Sequence, residues 1–410
     1  MTAQRLVVVG ASLAGLHAVE AARRAGFTGT ITLIGSEKHE PYNRPPLSKQ
    51  FLNAGPLPEP PFLRTAEKFG ALDIDLRLGA PATELDTEGQ RVAVGDEWIG
   101  YDALVIATGA TPRALPGTDG LAGVLTLRTV DDARAARTAL DAGARTVVVG
   151  AGFIGSEVAS AAHKRGLPVT IVEALPSPLA RAVGEEMGVA VGDFHRANGV
   201  ELRCGTAVTK LSGDGRVEHV HLSDGTVLDA DLVVVGIGAA PETGWLESSS
   251  LTLDNGVVCD ETLNAGVPGV YAAGDVARWH NPLFDRSMRL EHWTSASEQG
   301  AEAARNAIDP DRKQPYETVP YFWSDWYDRK IQFAGLPDAE HMEVVSGQVT
   351  DRKFTALYRS GDRLIGALTV NRPAENAKYQ GLIGRRAGWE EALEVARASA
   401  ARATAAAAKS

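Results

Sequence analysis

Short, largely apolar runs alternate with longer stretches of mixed polarity in the first part of the chain. The runs RLVVV (5–9) and TITLIG (30–35) have the length and continuous hydrophobicity of buried parallel strands. Between them, residues 12–26 show helical periodicity and end at Gly26, a residue typical of helix C-termini. This order of strand, helix and strand predicts the βαβ unit of a doubly wound sheet.

The same pattern returns further along the chain. VVVGASLAGLHAV begins at Val7, and VVVGAGFIGSEVA begins at Val147, with a further strand-like run at 169–174. The chain therefore carries two βαβ modules of the same kind, and it shows no short repeat that would indicate a solenoid.

Other segments depart from this pattern. Residues 40–52 contain three prolines, which predicts an ordered loop that enters a helix near Leu47. Asp224-Gly225 predicts a hairpin turn, and GVYAAGDVA from Gly269 predicts a strand that opens into a helix. From Tyr321 on, aromatic and β-branched runs predict a smaller antiparallel domain with helices. The alanine-rich tail is helix-prone by composition.

Composition narrows the class of protein. The chain has 410 residues, enough for two or three domains, and its net charge of −11 argues against a nucleic-acid binder. Only two cysteines occur, Cys204 and Cys259, so a Cys-x-x-Cys pair is absent and a reducing, cytoplasmic location is predicted. No apolar run is long enough to cross a membrane. The apolar stretch after Arg5 resembles a signal peptide, but its glycine spacing is better explained by a nucleotide-binding turn.

The second module carries a complete G-x-G-x-x-G at Gly150, Gly152 and Gly155. The first glycine permits the tight turn, the second permits close approach of a pyrophosphate, and the third permits close packing of helix on strand. The helix N-terminus then offers unpaired N–H groups to the pyrophosphate. Glu173 ends the next strand, where a carboxylate accepts both ribose hydroxyls and repels a 2′-phosphate. The module therefore predicts a site for NADH rather than NADPH.

The first module is imperfect. Gly10 and Gly15 are in place, but Ser12 occupies the position of the middle glycine. Its strand ends at Ser36 and Glu37, so Glu37 is the predicted ribose acid. Two dinucleotide sites in one chain predict one permanently bound dinucleotide and one that exchanges, for which a flavin and a nicotinamide are suited.

Further segments make the assignment more specific. They are ATGATP from Ala107, VVGIGAAPET from Val234, GVYAAGD from Gly269, PYNRPPLSK from Pro41, LRTVDDA from Leu127, EHW from Glu291 and FWSDWY from Phe322. Up to about Gly388 the chain resembles the NADH-dependent ferredoxin reductases of bacterial oxygenase systems, a putidaredoxin reductase-like family of flavoproteins without a redox disulfide. The fold class implied is α/β, with two Rossmann-like domains of the glutathione-reductase type and a C-terminal α+β domain.

The resemblance implies a domain division. A discontinuous FAD-binding domain comprises residues 1–113 and 242–318, an NADH-binding domain comprises 114–241, and a C-terminal domain comprises 319–410.

The resemblance also implies site residues. Lys49 is expected near flavin N5, Glu157 at the nicotinamide amide and in reach of Lys49, and Trp323 where electrons leave. Asp275 is expected to bind the ribityl chain, and Trp293 to lie at the isoalloxazine edge. The expected FAD contacts are Gly10, Ser12, Leu13, Ala14, Gly15, Ser36, Glu37, Arg44, Lys49, Ala82, Ala107, Thr108, Gly109, Arg128, Asp275, Glu291, His292 and Trp293. The expected NADH contacts are Gly150, Gly152, Phe153, Ile154, Gly155, Glu157, Glu173, Arg181 and Gly238.

Three positions depart from the family pattern. Ser12 replaces a glycine, Ser36 stands where relatives have aspartate, and Glu242 stands where relatives have asparagine. The role of Glu37 as ribose acid depends most on the second of these. None of the three removes a group that the implied chemistry needs.

The activity implied is that of an FAD-dependent NADH:ferredoxin oxidoreductase. It accepts a hydride from NADH and passes single electrons to an iron–sulfur ferredoxin, which feeds a haem-thiolate monooxygenase or a ring-hydroxylating oxygenase. Alternatives are a rubredoxin reductase, a monodehydroascorbate-type reductase or a flavoprotein like apoptosis-inducing factor. A thiol-dependent reductase is disfavoured because the loop 41–49 has no cysteine. A monomer or weak dimer is expected, without nucleic-acid or membrane partners.

Two further groups of residues are set aside. His219 and His221 lie on one face of a predicted strand, but no third metal ligand is evident nearby, so no metal site is predicted. Residues 384–388, with Lys378, form a basic segment that is interpreted as a solvated surface, with docking of an acidic ferredoxin as the alternative.

Overall fold

The computed structural model describes residues 3–118 and 120–407, which form two compact units. The first unit contains the described residues up to 43, together with 59–111 and 239–318. The second contains 44–58, those of 112–238, and the chain from 319 on. The predicted NADH-binding range 114–241 falls in the second unit as far as residue 238, as do the described residues from 319 on. The division of the chain into three domains stays a prediction.

The helices are α1 (Leu13–Arg24), α2 (Ala66–Gly70), α3 (Val130–Asp141), α4 (Phe153–Lys164), α5 (Ala180–Val183), α6 (Glu185–Ala197), α7 (Trp293–Ile308), α8 (Pro373–Gly384) and α9 (Trp389–Ala407). Single 3₁₀ turns occur at Pro45–Ser48, Gln50–Leu52, Gly244–Leu246, Gly274–Val276 and Pro310–Arg312.

The strands up to the second glycine-rich motif, which begins at Gly150, are β1 (Arg5–Val9), β2 (Thr30–Gly35), β3 (Asp75–Leu78), β4 (Ala82–Asp86), β5 (Arg91–Val94), β6 (Glu97–Gly100), β7 (Ala103–Ile106), β8 (Ala110–Pro112), β9 (Val124–Thr126) and β10 (Thr146–Val149). Those that follow are β11 (Val169–Glu173), β12 (Glu201–Cys204), β13 (Val208–Ser212), β14 (His219–Leu222), β15 (Val227–Asp229), β16 (Leu232–Val235), β17 (Ala239–Pro241), β18 (Val257–Cys259), β19 (Val270–Ala272), β20 (Ala277–Asn281) and β21 (Arg286–Met288). The last five are β22 (Tyr321–Trp326), β23 (Arg329–Gly335), β24 (His341–Gly347), β25 (Phe354–Ser360) and β26 (Arg363–Val370).

The first unit is built on a parallel sheet with strand order β19-β7-β1-β2-β3. Its central strand β1 is buried on both faces after Arg5, which explains why the sequence there is continuously apolar. Helix α1 packs closely on α7, because Gly300 presents no side chain to Ala14: a Cβ there would lie 2.1 Å from the Ala14 carbonyl oxygen. Smaller sheets β4-β5-β6 and β18-β20-β21 complete the unit, and β8 pairs with β17.

The second unit repeats this plan with a parallel sheet of order β12-β11-β10-β16-β9 and a small antiparallel sheet β13-β14-β15. Its core joins valines from both sheets, among them Val147, Val220 and Val233. After residue 319 the chain forms the antiparallel sheet β22-β23-β26-β25-β24, followed by α8 and α9. The predicted α/β class, the duplicated βαβ module and the antiparallel C-terminal region are therefore confirmed.

Two local predictions are corrected. GVYAAGDVA does not open into a helix: after β19 the chain makes one 3₁₀ turn and continues as β20, since Gly274 turns the backbone at a φ of +76°. The helix near Leu47 is also a short 3₁₀ turn, and a second one follows it. Within the described residues, no helix is both long and apolar enough to span a bilayer.

Candidate functional site

The first glycine-rich turn, in the first unit, joins β1 to α1. Gly10 has a φ of +120°, and a Cβ on it would lie 2.0 Å from the Ala107 carbonyl oxygen. A Cβ on Gly15 would lie 1.9 Å from the Gly10 carbonyl oxygen. Glycine is therefore obligatory at both positions. Ser12 is the extended N-cap residue of α1, but its side chain does not cap the helix. The turn thus leaves the first N–H groups of α1 for another acceptor.

Segments distant in sequence meet at this turn. A Cβ on Gly274, the neighbour of Asp275, would lie 3.2 Å from Ala14 Cβ, so the 3₁₀ turn packs against the fingerprint. Arg289 Nη1 donates to the Asp275 carbonyl oxygen at 2.9 Å, and Arg289 Nη2 pairs with Glu291 Oε1 at 2.9 Å. The first unit therefore places the predicted ribityl-binding residue beside its predicted pyrophosphate turn.

The two residues that follow Glu291 lie at the start of α7. Burial lowers the pKa of His292 to about 4, against the opposing effect of the Asp275 carboxylate. Trp293 Nε1 donates to Asn43 Oδ1 at 2.8 Å. The imidazole is therefore neutral at physiological pH, and the indole is held in a fixed orientation.

Most of the other predicted FAD residues of the first unit lie at or next to the ends of strands, and Leu13 lies at the start of a helix. Ser36 is exposed, whereas Glu37 is half-buried and accepts a hydrogen bond from the Tyr42 hydroxyl. Thr108 Oγ1 donates to the Glu242 carbonyl oxygen at 2.8 Å, and the Gly109 carbonyl accepts from the Glu242 nitrogen at 2.9 Å. Leu13 begins α1 and Ala82 begins β4. Glu242, one of the three departures, is thus held through its backbone and also through its side chain, whose Oε2 accepts from Thr111 Oγ1 at 2.6 Å.

The second glycine-rich turn, in the second unit, joins β10 to α4. A Cβ on Gly150, at a φ of +100°, would lie 2.4 Å from the Gly236 carbonyl oxygen, and one on Gly155 would lie 2.2 Å from the Gly150 carbonyl oxygen. At Gly152 the nearest atom to such a Cβ is 3.8 Å away. Close packing therefore requires glycine at positions 150 and 155. At Gly152 the absence of a side chain instead leaves space next to the N-terminus of α4.

Glu173 borders this turn from the end of β11. Its carboxylate accepts hydrogen bonds from the backbone nitrogens of Ala151 at 2.7 Å and Leu175 at 2.8 Å. These two bonds fix its orientation, and a carboxylate retains acceptor sites for two further donors. The open space at Gly152, the free helix terminus and this oriented acid fit a dinucleotide with an unphosphorylated ribose.

The remaining predicted NADH contacts lie in the same unit as this turn. Phe153 begins α4, and its ring lies 4.5 Å from that of Phe322. Ile154 is 39% exposed although it is aliphatic, Arg181 is exposed on α5, and Gly238 has a φ of +99°.

A buried carboxylate lies one turn further along α4. Glu157 is 3% exposed and forms an ion pair with Lys49 at 2.8 Å. Its Oε1 also accepts from Ser324 Oγ at 2.5 Å and from the Asp325 nitrogen at 3.3 Å, and its Oε2 accepts from Ser48 Oγ at 2.5 Å. The approach of Lys49 to Glu157 that the sequence indicated is therefore present, and the ionised carboxylate is stabilised by four donors.

Two side chains of the loop that carries Lys49 donate hydrogen bonds to backbone carbonyl oxygens. Lys49 Nζ donates to the Pro45 carbonyl oxygen at 3.3 Å, and Arg44 Nη1 donates to the Arg128 carbonyl oxygen at 2.9 Å. The two predicted FAD contacts Arg44 and Arg128 are thus brought together in the second unit.

Trp323 lies on β22, where burial alternates from residue to residue. Its ring is half-buried and stacks on Tyr321, with ring centroids 6.0 Å apart. Ser324 and Trp326, which point to the opposite face, are fully buried. Sequence analysis did not single out Ser48, Ser324 or Trp326, although the period-two alternation of FWSDWY places a serine on an otherwise aromatic face.

The residues set aside earlier have other contacts. His221 Nε2 lies 2.7 Å from Ser212 Oγ, and His219 Nδ1 lies 3.2 Å from Asp229 Oδ1. Among the described residues, no group of three His, Cys, Asp or Glu side chains is arranged to hold a metal. Arg385 pairs with Glu391 at the end of α8. Cys204 and Cys259 are free thiols on β12 and β18, outside the loop 41–49.

Comparison with known proteins adds the family context. A family model described as pyridine nucleotide-disulphide oxidoreductase matches residues 4–300, and one described as reductase C-terminal matches 321–404. Rhodocoxin reductase of Rhodococcus erythropolis is 39% identical over 374 residues, 90% of this chain and 87% of its own length. Putidaredoxin reductase of Pseudomonas putida is 36% identical over 378 residues, covering 90% and 89%. The crystal structure of the covalent putidaredoxin reductase–putidaredoxin complex matches with a TM-score of 0.90 at 34% identity, over 97% of this chain and 98% of that one.

Proposed function

The chain belongs to the pyridine nucleotide-disulphide oxidoreductase family, and from this premise we propose that it is an FAD-dependent NADH:ferredoxin oxidoreductase of an oxygenase system. Membership confirms the family predicted from the sequence, and with it FAD and NADH as the cofactors. When bound, FAD takes up a hydride from NADH and supplies single electrons to an iron–sulfur protein.

The first unit holds the FAD in this proposal. The N-terminus of α1 binds the pyrophosphate, with Gly10 and Gly15 required for the turn and Ser12 Oγ as an added donor. Glu37, oriented by Tyr42, accepts the ribose hydroxyls, and Asp275 binds the ribityl chain. The remaining FAD contacts are those expected from the sequence.

The second unit binds the NADH. Gly152 leaves room for the pyrophosphate at the N-terminus of α4, and Glu173 accepts the ribose hydroxyls and excludes a 2′-phosphate by charge. Glu157 accepts a hydrogen bond from the nicotinamide carboxamide, and Lys49 balances its charge in a site shielded from water. Trp323, half-buried on β22, lies on the route by which electrons leave.

One observation carries the proposal: the ion-paired Glu157 lies one helical turn beyond an open glycine-rich turn. Burying an ion pair costs desolvation free energy, which lowers the stability of the fold. A role in orienting a bound ligand would explain why such a pair lies next to a nucleotide-binding turn. Neither cysteine occupies the loop 41–49 that carries the lysine, which supports electron transfer without a thiol relay.

The partner is an iron–sulfur ferredoxin that serves a haem-thiolate or ring-hydroxylating oxygenase. The free thiols of Cys204 and Cys259 support a reducing, cytoplasmic location, and the net charge of −11 supports the absence of nucleic-acid partners. We further propose a monomer or weak dimer.

The test is NADH-driven reduction of a panel of purified ferredoxins and a rubredoxin by the flavin-loaded protein, with cytochrome c as final acceptor. The expected result is rapid reduction that depends on an added ferredoxin and is much slower with NADPH. Preference for rubredoxin or for the ascorbate radical would place the chain with the corresponding reductases. Very slow turnover with every acceptor would overturn the proposal in favour of a flavoprotein that responds to NADH as a signal.

A further inference from the structure

A buried chain of hydrogen bonds leads from the C-terminal sheet to Glu157. Trp326 Nε1 donates to Ser324 Oγ at 2.8 Å, and Ser324 Oγ donates to Glu157 Oε1 at 2.5 Å. An indole N–H is only a donor, and a serine hydroxyl carries one hydrogen. Because Ser324 accepts from the indole, its own hydrogen points to the carboxylate, so the direction of the chain is fixed.

Trp326 is itself held in place. Its side chain is fully buried, and the ring of His195 lies 4.7 Å from it at an angle of 32°. His195 Nδ1 lies 2.7 Å from the Tyr327 hydroxyl, and Nε2 lies 3.1 Å from Ser156 Oγ. Each polar atom of this cluster has a partner within it, so rotation of the indole would leave buried groups unpaired.

The contacts of Glu157 divide unequally between its two oxygens. Oε1 accepts from Lys49, from Ser324 and from the Asp325 nitrogen, whereas Oε2 accepts only from Ser48 among the residues that the structure describes. A carboxylate has about four acceptor sites in total, two on each oxygen. Oε1 is therefore saturated, and Oε2 retains the capacity to accept one more hydrogen bond.

A primary carboxamide offers the N–H donor that this oxygen lacks, and the nicotinamide ring carries one. We propose that Ser324, fixed by Trp326, is a positioning residue that saturates Glu157 Oε1 and so presents Oε2 to the nicotinamide carboxamide. The inference rests on the proposed function, and it assigns to the C-terminal sheet a part in the binding of NADH. Without the Ser324 hydroxyl, Oε1 loses the shortest of its three contacts, and the carboxylate can turn so that Oε2 no longer faces the carboxamide.

The test is Ser324→Ala in the full-length, flavin-loaded protein, with ligand affinity measured by calorimetry. NAD⁺ is compared with 3-acetylpyridine adenine dinucleotide, whose acetyl group has no N–H donor. Loss of one hydrogen bond to a charged group corresponds to roughly a tenfold change in affinity. We expect Ser324→Ala to weaken NAD⁺ binding about tenfold and to leave the affinity for the analogue unchanged within about twofold.

A second variant and a control separate positioning from folding. Trp326→Phe keeps the Ser324 hydroxyl but removes the indole N–H that fixes the direction of its hydrogen. It should therefore weaken NAD⁺ binding about threefold and leave the affinity for the analogue unchanged. Thr369→Val removes a hydroxyl of the same sheet that is buried and has no hydrogen-bond partner among the described residues, so it should leave both affinities unchanged.

Equal losses for NAD⁺ and the analogue in Ser324→Ala would overturn the inference, because they would show a general effect on the fold. Unchanged affinity for NAD⁺ would overturn it as well. If the unmodified protein bound neither dinucleotide, the proposed function itself would fail, and that outcome is distinguishable because it precedes any substitution.

Discussion

Lys49 and Glu157 form an ion pair 2.8 Å long, with side chains only 12% and 3% exposed to solvent. The two residues come from a proline-rich loop and from the first turns of α4. Removal of one partner from a buried pair leaves an uncompensated charge, which costs far more than the pair contributes. The pair therefore attaches the loop that carries Lys49 to helix α4.

Lys49→Met is expected to slow reduction of the flavin by NADH at least tenfold, while FAD stays bound. If Lys49 lies near flavin N5, as its place in the proposed site requires, its charge favours the reduced, anionic ring, whereas retention of FAD depends on many other contacts. Stopped-flow absorbance gives the reduction rate, and the flavin-to-protein ratio gives retention. Stability should fall by about 3 kcal/mol, since the Glu157 carboxylate stays buried.

The matched control is Lys378→Met on α8, where the lysine is exposed. It should change neither the reduction rate nor the thermal midpoint. If flavin reduction in Lys49→Met ran at the normal rate, the placement of this lysine at the flavin would be wrong.

Gly152 and Gly155 of the second glycine-rich motif should have different roles, one in ligand binding and the other in packing of the fold. A methyl at Gly152 meets no atom closer than 3.8 Å, so Gly152→Ala should change stability by less than about 0.5 kcal/mol. The same methyl occupies the space above the N-terminus of α4, so the KM for NADH should rise about tenfold.

Gly155→Ala serves as the contrasting variant, because its Cβ would lie 2.2 Å from the Gly150 carbonyl oxygen. It should destabilise the protein by about 3 kcal/mol through overpacking. Thermal unfolding and steady-state kinetics on both variants check the distinction. An unchanged KM in Gly152→Ala would argue against a pyrophosphate at this turn.

Local patterns were sufficient to predict much of this structure. Strands β1 and β10, the glycine turns and the acids that follow them lie within short stretches, where periodicity and turn chemistry act directly. The serine partners of Glu157 could not be predicted from local patterns. Ser324, for example, lies 167 positions away in the sequence, and only the tertiary fold brings the two residues together. The 3₁₀ turn after β19 could not be distinguished from the first turn of a helix, because a single turn is too short to show a periodicity of its own.

Glu173→Gln should shift the preference for the nicotinamide coenzyme. The neutral amide no longer repels a 2′-phosphate, so the ratio of kcat/KM for NADPH to that for NADH should rise about tenfold. Affinity for NADH should also fall, because Glu173 orients the turn through the Ala151 nitrogen. Glu201→Gln on the neighbouring strand β12 is the control, and it should leave the ratio unchanged. Equal efficiency with both coenzymes in the unmodified protein would contradict the assignment.

His195 predicts how stability depends on pH. Burial lowers its pKa to about 3 in the folded chain, against about 6.5 in the unfolded one. Between these two pKa values the unfolded chain binds a proton that the folded chain does not. The contribution of His195 to the free energy of unfolding is therefore fully present above pH 6.5 and is lost as the pH falls below it. At pH 5 the loss from this residue is about 2 kcal/mol, with a slope approaching 1.4 kcal/mol per pH unit.

His195→Gln removes this titration. The variant should be less stable than the unmodified protein at pH 7.5, where the hydrogen bonds to Tyr327 and Ser156 matter most, but its loss of stability between pH 6.5 and 5 should be smaller. Thermal midpoints measured across that range test the difference, with His341→Gln as a control because that ring is exposed on β24. Parallel pH profiles for the unmodified protein and His195→Gln would mean that the imidazole is protonated in the folded state, and the hydrogen-bond chain behind Trp326 would then have to be reassigned.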